Sequence, residues 1–308
     1  MNKRVLPSCT GKSGDLLVVV DSFYYNHLTG SAIKAVFGQE QKGLPQRETL
    51  FSVIQVPHRS FARIFETTRN IIMINIEPKS KIKLTVTKDV WAESQLVVTI
   101  TAPSDNIAAE TITKNANALL TYFNDKEIER LQAKYMIFKH TKNTQHLKEK
   151  FKLEINIDEF YVIAKDTNDF IWLRREKSVG GHQVSQGIMI YTYPYTNDST
   201  FNIANLVEKR DYYTKAYVAG SFENSYMMVY NDYEPVQKEI SLNGVYMNEL
   251  RGLWQMQGDF MGGPFINYSM VDEQRNRVIC IDGYVYAPEF DKREYLRELE
   301  ALIKTVTF

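Results

Sequence analysis

Cysteine is nearly absent from this chain: Cys9 and Cys280 are the two in 308 residues. Two thiols so far apart set up no disulfide framework, so the fold cannot rely on cross-links; pairing stays open only for an oxidising compartment. Cys280, set in a strand pattern, reads as a small buried hydrophobe. Histidine is also scarce: His27, His58, His140, His146 and His182. Only His140 and His146 are near each other, and a spacing of six puts them on different helix faces. With no H-E-x-x-H and no C-x-x-C, the chain offers no metal site. It lacks G-x-S-x-G and G-x-G-x-x-G as well. Gly11-Lys12-Ser13 ends like a phosphate loop, but Leu6 occupies the place of the first glycine, and the segment precedes a strand instead of following one. No nucleophile–base pair emerges, so no catalytic residue and no cofactor is assigned. The 37 basic and 37 acidic residues balance to zero, which gives no reason to expect nucleic acid or an anionic membrane as partner. The longest apolar run, Leu16-Leu17-Val18-Val19-Val20, falls far short of the roughly 18 residues of a membrane span. Met1-Asn2-Lys3-Arg4 is charged, but no apolar stretch follows, so no signal peptide is read.

What is present describes a folded protein. Hydrophobic residues make up 44% and charged residues 24%, ordinary values for a globular chain. A length of 308 suits two domains. Charge is unevenly distributed: residues 1–150 hold 21 Lys and Arg against 14 Asp and Glu, leaving 16 against 23 for the remainder. Opposed halves are expected to associate, although salt screens exposed charges within about 8 Å. Lys126, Arg130, Lys134 and Lys139 line a basic helix, but Glu127 and Glu129 interleave with them, and the face reads as solvated.

Periodicity gives the organisation. Strands are expected over 15–20, 51–56, 70–76, 82–88 and 95–101, and a helix over 29–37 ending at Gly38. Ala102-Pro103-Ser104-Asp105 opens a helix whose stripe runs Ala108, Ile112, Leu119 and Phe123. Asn124, with Glu127 three residues on, reads as the capping box of a second helix. The second half alternates over 160–164, 170–174 and 187–195. It then reads as a helix over 201–213, strands near 214–219 and 225–230, and a helix over 246–257. A hairpin follows, 265–271 with 277–286, and a last helix begins near Asp291. Both halves close with an apolar strand, Ala-Pro and an amphipathic helix. The expected class is α+β, with mixed, largely antiparallel sheets and helices packed on one side, in two associated and possibly related halves. The boundaries fall at 1–124, a connecting helix 125–150, and 151–308.

One segment asks for a particular path: Arg251 through Phe265 sets three aromatics and two methionines among four glycines and a proline. Such a run fixes shape by close approach and restricted angles. Either it wraps the core, or Arg251, Trp254, Asp259, Phe260, Met261, Gly262 and Gly263 rim an aromatic-floored groove. The chain's 19 tyrosines include rows that share a strand face: Tyr191, Tyr193 and Tyr195; Tyr226 and Tyr230; Tyr284 and Tyr286. Such rows suit contact with a protein or glycan, or packing beneath helices.

Several stretches are familiar together: Leu6-Pro7-Ser8 with Gly11-Lys12, Gly43-Leu44-Pro45-Gln46, Thr68-Arg69-Asn70-Ile71, Arg251–Phe265, and Asp282-Gly283-Tyr284-Val285-Tyr286-Ala287-Pro288. On these the chain resembles an uncharacterised family of Bacteroidetes envelope proteins made with a lipoprotein signal. It departs at Cys9, where a small hydroxyl residue is expected. The resemblance implies a cell-envelope location, periplasmic or outer-membrane-anchored, with a lipid anchor in the precursor. It supplies no activity and no site residues. The expected function is therefore non-enzymatic binding of a protein partner or glycan through a Tyr/Trp-rich surface. Two alternatives stand beside it: a hydrolase using Asp259 and Asp282 in one cleft, and a structural element of a surface assembly.

Overall fold

The run Leu16–Val20 is wholly buried because it lies in the middle of a sheet covered on both faces. In the computed structural model, which describes residues 5–308, the chain divides into two units. Met1–Arg4, read above for a signal peptide, lie outside the described residues. The first unit comprises residues up to Glu40 and Thr49–Arg130. It holds β1 (Asp15–Val19), α1 (Ser22–Tyr25), α2 (Leu28–Phe37), β2 (Ser52–Val56), α3 (Arg63–Glu66), β3 (Asn70–Ile76), β4 (Lys83–Lys88), β5 (Leu96–Ala102), α4 (Asp105–Lys114) and the start of α5 (Ala116–Ile137). The sheet order is β2-β1-β3-β5-β4, parallel except for the antiparallel edge pair β4–β5. Parallel strands covered on both faces read as continuous apolar runs, which is why β1 and β3 were visible in the sequence.

Ser104 caps α4, its hydroxyl accepting from the Ile107 amide at 3.4 Å. The break expected at Asn124 is not there: α5 runs through it, and the chain turns at Asn115 instead. The stripe Leu119, Phe123, Ile128 holds the helix to the sheet, and one asparagine cannot interrupt packing of that kind. Glu127, read as half of a capping box, has a fully buried side chain. It accepts from Arg69 at 2.9 Å, Arg130 at 2.8 Å and Asn70 at 2.6 Å.

The second unit joins Gln41–Glu48 to Leu131–Phe308. It adds α6 (Thr141–Phe151), β6 (Val162–Asp166), β7 (Phe170–Val179), β8 (His182–Pro194), α7 (Ile203–Tyr217), β9 (Tyr226–Val229), β10 (Val236–Leu242), β11 (Val245–Gln257), β12 (Gly262–Asp272), β13 (Arg277–Tyr286) and α8 (Arg293–Ile303). Among the described residues it forms an eight-stranded antiparallel sheet in the order β10-β11-β12-β13-β8-β7-β6, with β9 beside β11. The α+β class with largely antiparallel sheets holds, with one refinement. Leu296, Leu299, Leu302 and Ile303 of α8 pack on one face of the large sheet, while Leu206 and Tyr213 of α7 pack on the other. Its helices thus lie on both sides. The Ala-Pro echo is local, because the two sheets differ in topology.

The helix expected over 246–257 is a thirteen-residue strand, β11. Both of its faces are buried, so polar alternation is erased, and Met247, Leu250, Leu253 and Trp254 imitate helical spacing. The strand expected over 214–219 is largely the C-terminal turn of α7. Segment 41–48 has its own task in this unit. Both oxygens of Glu48 accept amides at the start of α8, Lys292 N at 2.7 Å and Arg293 N at 2.9 Å. The α8 cap therefore comes from this distant carboxylate, not from Asp291, near which the helix was expected to begin.

Candidate functional site

Because a strand alternates faces, residues 251 and 254 of β11 must point in opposite directions. Trp254 lies on the α7 face, with its indole Nε1 donating to the Val285 carbonyl at 3.2 Å. Gly263, opposite it in the register, makes this possible: a Cβ there would stand 2.0 Å from the Val285 oxygen. Gly263 is therefore needed for close approach within β12, and a Cβ at Gly262 would sit tightly, 3.0 Å from the Trp254 carbonyl oxygen, while the turn is made by Gly258 at φ +79°. A second glycine serves the neighbouring ring. Tyr284 lies flat across Gly187, where a Cβ would come within 2.0 Å of its ring. Trp254 meets Tyr284 edge to face at 5.3 Å, and Trp172 donates its Nε1 to the Tyr284 hydroxyl at 3.1 Å. Burial pushes that hydroxyl up to about 12.

These rings wall a cleft of about 390 Å³. Met227, Met256 and Met261 line it beside the rings, with Tyr286 also at its edge; Arg174, Glu176, Gln183 and Ser185 supply polar groups. Arg174 pairs with Glu176 and lies over the Trp172 ring at 5.1 Å. Two loops meet at the mouth. The Asp259 carboxylate accepts the Ser221 amide at 3.0 Å and the Phe260 amide at 2.7 Å. These bonds, Ser221's foremost, hold the carboxyl below its usual range. Beside the clasp, Phe260 is fully exposed and Phe222 is 60% exposed.

Behind the cleft, the same face carries a buried polar system. Arg210 of α7 donates to Asp282 at 2.9 Å, both side chains at 0% exposure, and stacks 4.0 Å from the Phe265 ring. Asn267 donates to Asp282 and to the Tyr191 hydroxyl, each at 3.1 Å. Cys280 lies 3.2 Å from the Ser269 hydroxyl, and burial lifts its thiol to about 12, which makes it a poor nucleophile. Among the described residues no three His, Cys, Asp or Glu side chains converge as metal ligands.

The structure thus brings Trp254, Asp259 and Met261 to one cleft, with Phe260 at its mouth and Gly262 and Gly263 in the adjoining strand. Arg251 stands apart on the opposite face, bound to Glu249 at 2.6 Å and Glu300 at 2.9 Å. The groove rim drawn through it assumed a helix, whereas the strand turns it inward toward α8. Tyr191 and Tyr193 are buried beneath α7, Tyr191 stacked on Tyr213 at 4.6 Å, so they present no surface. Tyr195, half-buried, lines a different cavity. The expectation that Asp259 and Asp282 share a cleft fails, because Asp282 is sealed in its ion pair. The sequence reading missed Trp172, Arg174, Ser221 and Phe222. The paired Tyr284 and Tyr286 were the available signal.

The arrangement defines an α+β protein of two sheet units, with an aromatic cleft on the larger. Residues 140–305 match the model of a domain of unknown function, DUF4837, and residues 9–136 match a second, DUF8532. The first match spans more than half of the sequence, and the chain belongs to the DUF4837 family. No curated protein matches it. Among solved structures, a mutant of the protein Mog1 gives a TM-score of 0.33 at 10% identity. The Saccharomyces cerevisiae Ran-binding protein Mog1p gives 0.32 at 9%. Each comparison covers 50% of this chain and 89% of the other.

Proposed function

We propose that this chain is a non-enzymatic, envelope-associated binding protein that takes a segment of a partner protein into the Trp172–Trp254–Tyr284 cleft. The observation that carries the reading is the clasp at the mouth. Asp259 ties together two loops whose tips, Phe222 and Phe260, stand in solvent beside a cavity lined with methionine and tryptophan. Soluble proteins seldom place such large rings in solvent beside a cleft without a contact to make, and aromatic and methionine side chains are enriched in interface cores. The Arg174–Glu176 pair within the cleft can orient a peptide by hydrogen bonds of both polarities.

Acid–base chemistry has little support there. Glu176 is engaged by Arg174, and Asp259 is committed to two amides that favour its ionised form. Envelope location rests on the sequence resemblance alone. The test is a photo-crosslinking residue at position 260, compared with one at Lys165, an exposed position on β6. A defined adduct from 260 that Phe222→Ser removes supports the reading. Equal labelling from both positions, or none from 260, overturns it.

A further inference from the structure

A second cavity opens on the same sheet face at its β10–β11 edge, with a volume of about 690 Å³. Its floor follows from the register: Glu239 pairs with Asn248, and Ser241 with Tyr246. Alternation then places Gln237, Glu239, Tyr246 and Asn248 on one face. Its wall is the connection between β8 and α7. There the Tyr195 hydroxyl donates to Asp198 at 2.6 Å, and the Tyr195 ring lies 6.4 Å from Phe201.

Asn248 anchors the floor. It is 1% exposed and borders the cavity. Gln237 donates to its carbonyl oxygen at 2.7 Å, and its side-chain amide stands by the Tyr246 hydroxyl, so Asn248 holds both side chains in place. The Tyr246 hydroxyl stands beside both Asn248 and Glu239, and the Tyr246 ring is 52% exposed.

We propose that this cavity binds a saccharide unit. The groups facing it specify the chemistry. Asp198 and Glu239 can only accept, the exposed Asn202 amide can also donate, and both kinds stand within one small site. A ligand serving all of them must carry groups that donate and accept at once, as hydroxyls do. An anion is disfavoured by two carboxylates against the single Lys238. A simple cation offers no acceptor to Asn202. The rings of Tyr246 and Tyr195 supply apolar faces with polar edges, suited to the C–H face of a sugar ring, and the volume lies within the range of small-ligand sites.

The test is ligand-observed NMR on the full chain with glucose, galactose, N-acetylglucosamine and their β-1,4-linked trimers, alongside choline and inorganic phosphate. Saturation transfer to at least one sugar is expected, weakened tenfold or more by Tyr246→Ala, a surface change that keeps the fold, and by Asn248→Leu. Binding of choline or phosphate without any sugar overturns the assignment. So does transfer to no member of the panel, or sugar binding that Tyr246→Ala leaves unchanged. Phe222→Ser is expected to have no effect here, which separates this site from the Trp254 cleft.

Discussion

Asp259 and Ser221 lie 38 positions apart in the chain, yet the Asp259 carboxylate accepts the Ser221 amide at 3.0 Å, and that contact fastens one loop of the cleft mouth to the other. Asp259→Ala is expected to speed hydrogen exchange at the Ser221 amide by tenfold or more while amides in β12 and β13 keep their protection. The carboxyl is held low by its amide bonds, so the clasp persists above the ordinary aspartate value of 3.8 and fails only as pH falls below it. Exchange at Ser221 in wild type should therefore stay flat, after correction for intrinsic rates, from pH 7 down to about pH 4.

Arg210 and Asp282 form an ion pair sealed from solvent, and breaking one side leaves a bare charge in the aromatic layer. Asp282→Ala is expected to cost about 3–5 kcal/mol in urea unfolding. It also strips partners from Asn267 and through it Tyr191. The double change Arg210→Met with Asp282→Leu should unfold closer to wild type than either single charge removal, since desolvation then no longer opposes folding.

Glu48 closes the start of α8 with both oxygens. Glu48→Ala should destabilise by about 1–2 kcal/mol, the usual scale for a lost helix cap. Amide exchange should quicken first at Lys292 and Arg293. Glu48→Gln should recover part of the loss, because one amide oxygen can still accept.

Glu300 carries the pH dependence of the Arg251 cluster. Burial alone would raise its carboxyl, but Arg251 and Lys304 overcome that and hold it well below the usual range. A depressed folded value means stability that is present above about 4.5, the unfolded value, and lost progressively as pH falls beneath it. Melting temperature should drop in acid more steeply for wild type than for Glu300→Gln, and the variant should already be less stable at pH 7. Taking the difference between the two proteins removes contributions of opposite sign from Asp158 and Asp211, whose carboxyls burial raises.

Much of this fold was legible along the chain, for identifiable reasons. β3 matches its expected range of 70–76, and the β12–β13 hairpin was anticipated because Asp272–Asn276 interrupts two β-rich runs with polar turn residues. Ser104 announced α4 by its chemistry. What failed depended on distant partners. β11 looked helical because α7 and α8 bury both its faces, and that misreading carried Arg251 to the wrong side of the sheet. Asn124 looked like a cap because nothing local reveals that Glu127 is claimed by Arg69. The cleft was half visible: Trp254, Asp259 and Met261 lie in one segment, while Trp172, Ser221 and Phe222 arrive only when three separate strands and a helix end converge.

The borrowed octapeptide Gln41–Glu48 has a practical consequence for anyone dissecting this protein. The family match begins at residue 140, yet the folded unit reaches back to Leu131 and across to Glu48. Leu44 is buried in its core, and the Gly43 amide donates to the Tyr233 hydroxyl at 2.7 Å. A recombinant fragment cut at the sequence-family border would lose a core side chain and a helix cap together, because this unit draws on two separate stretches of the chain.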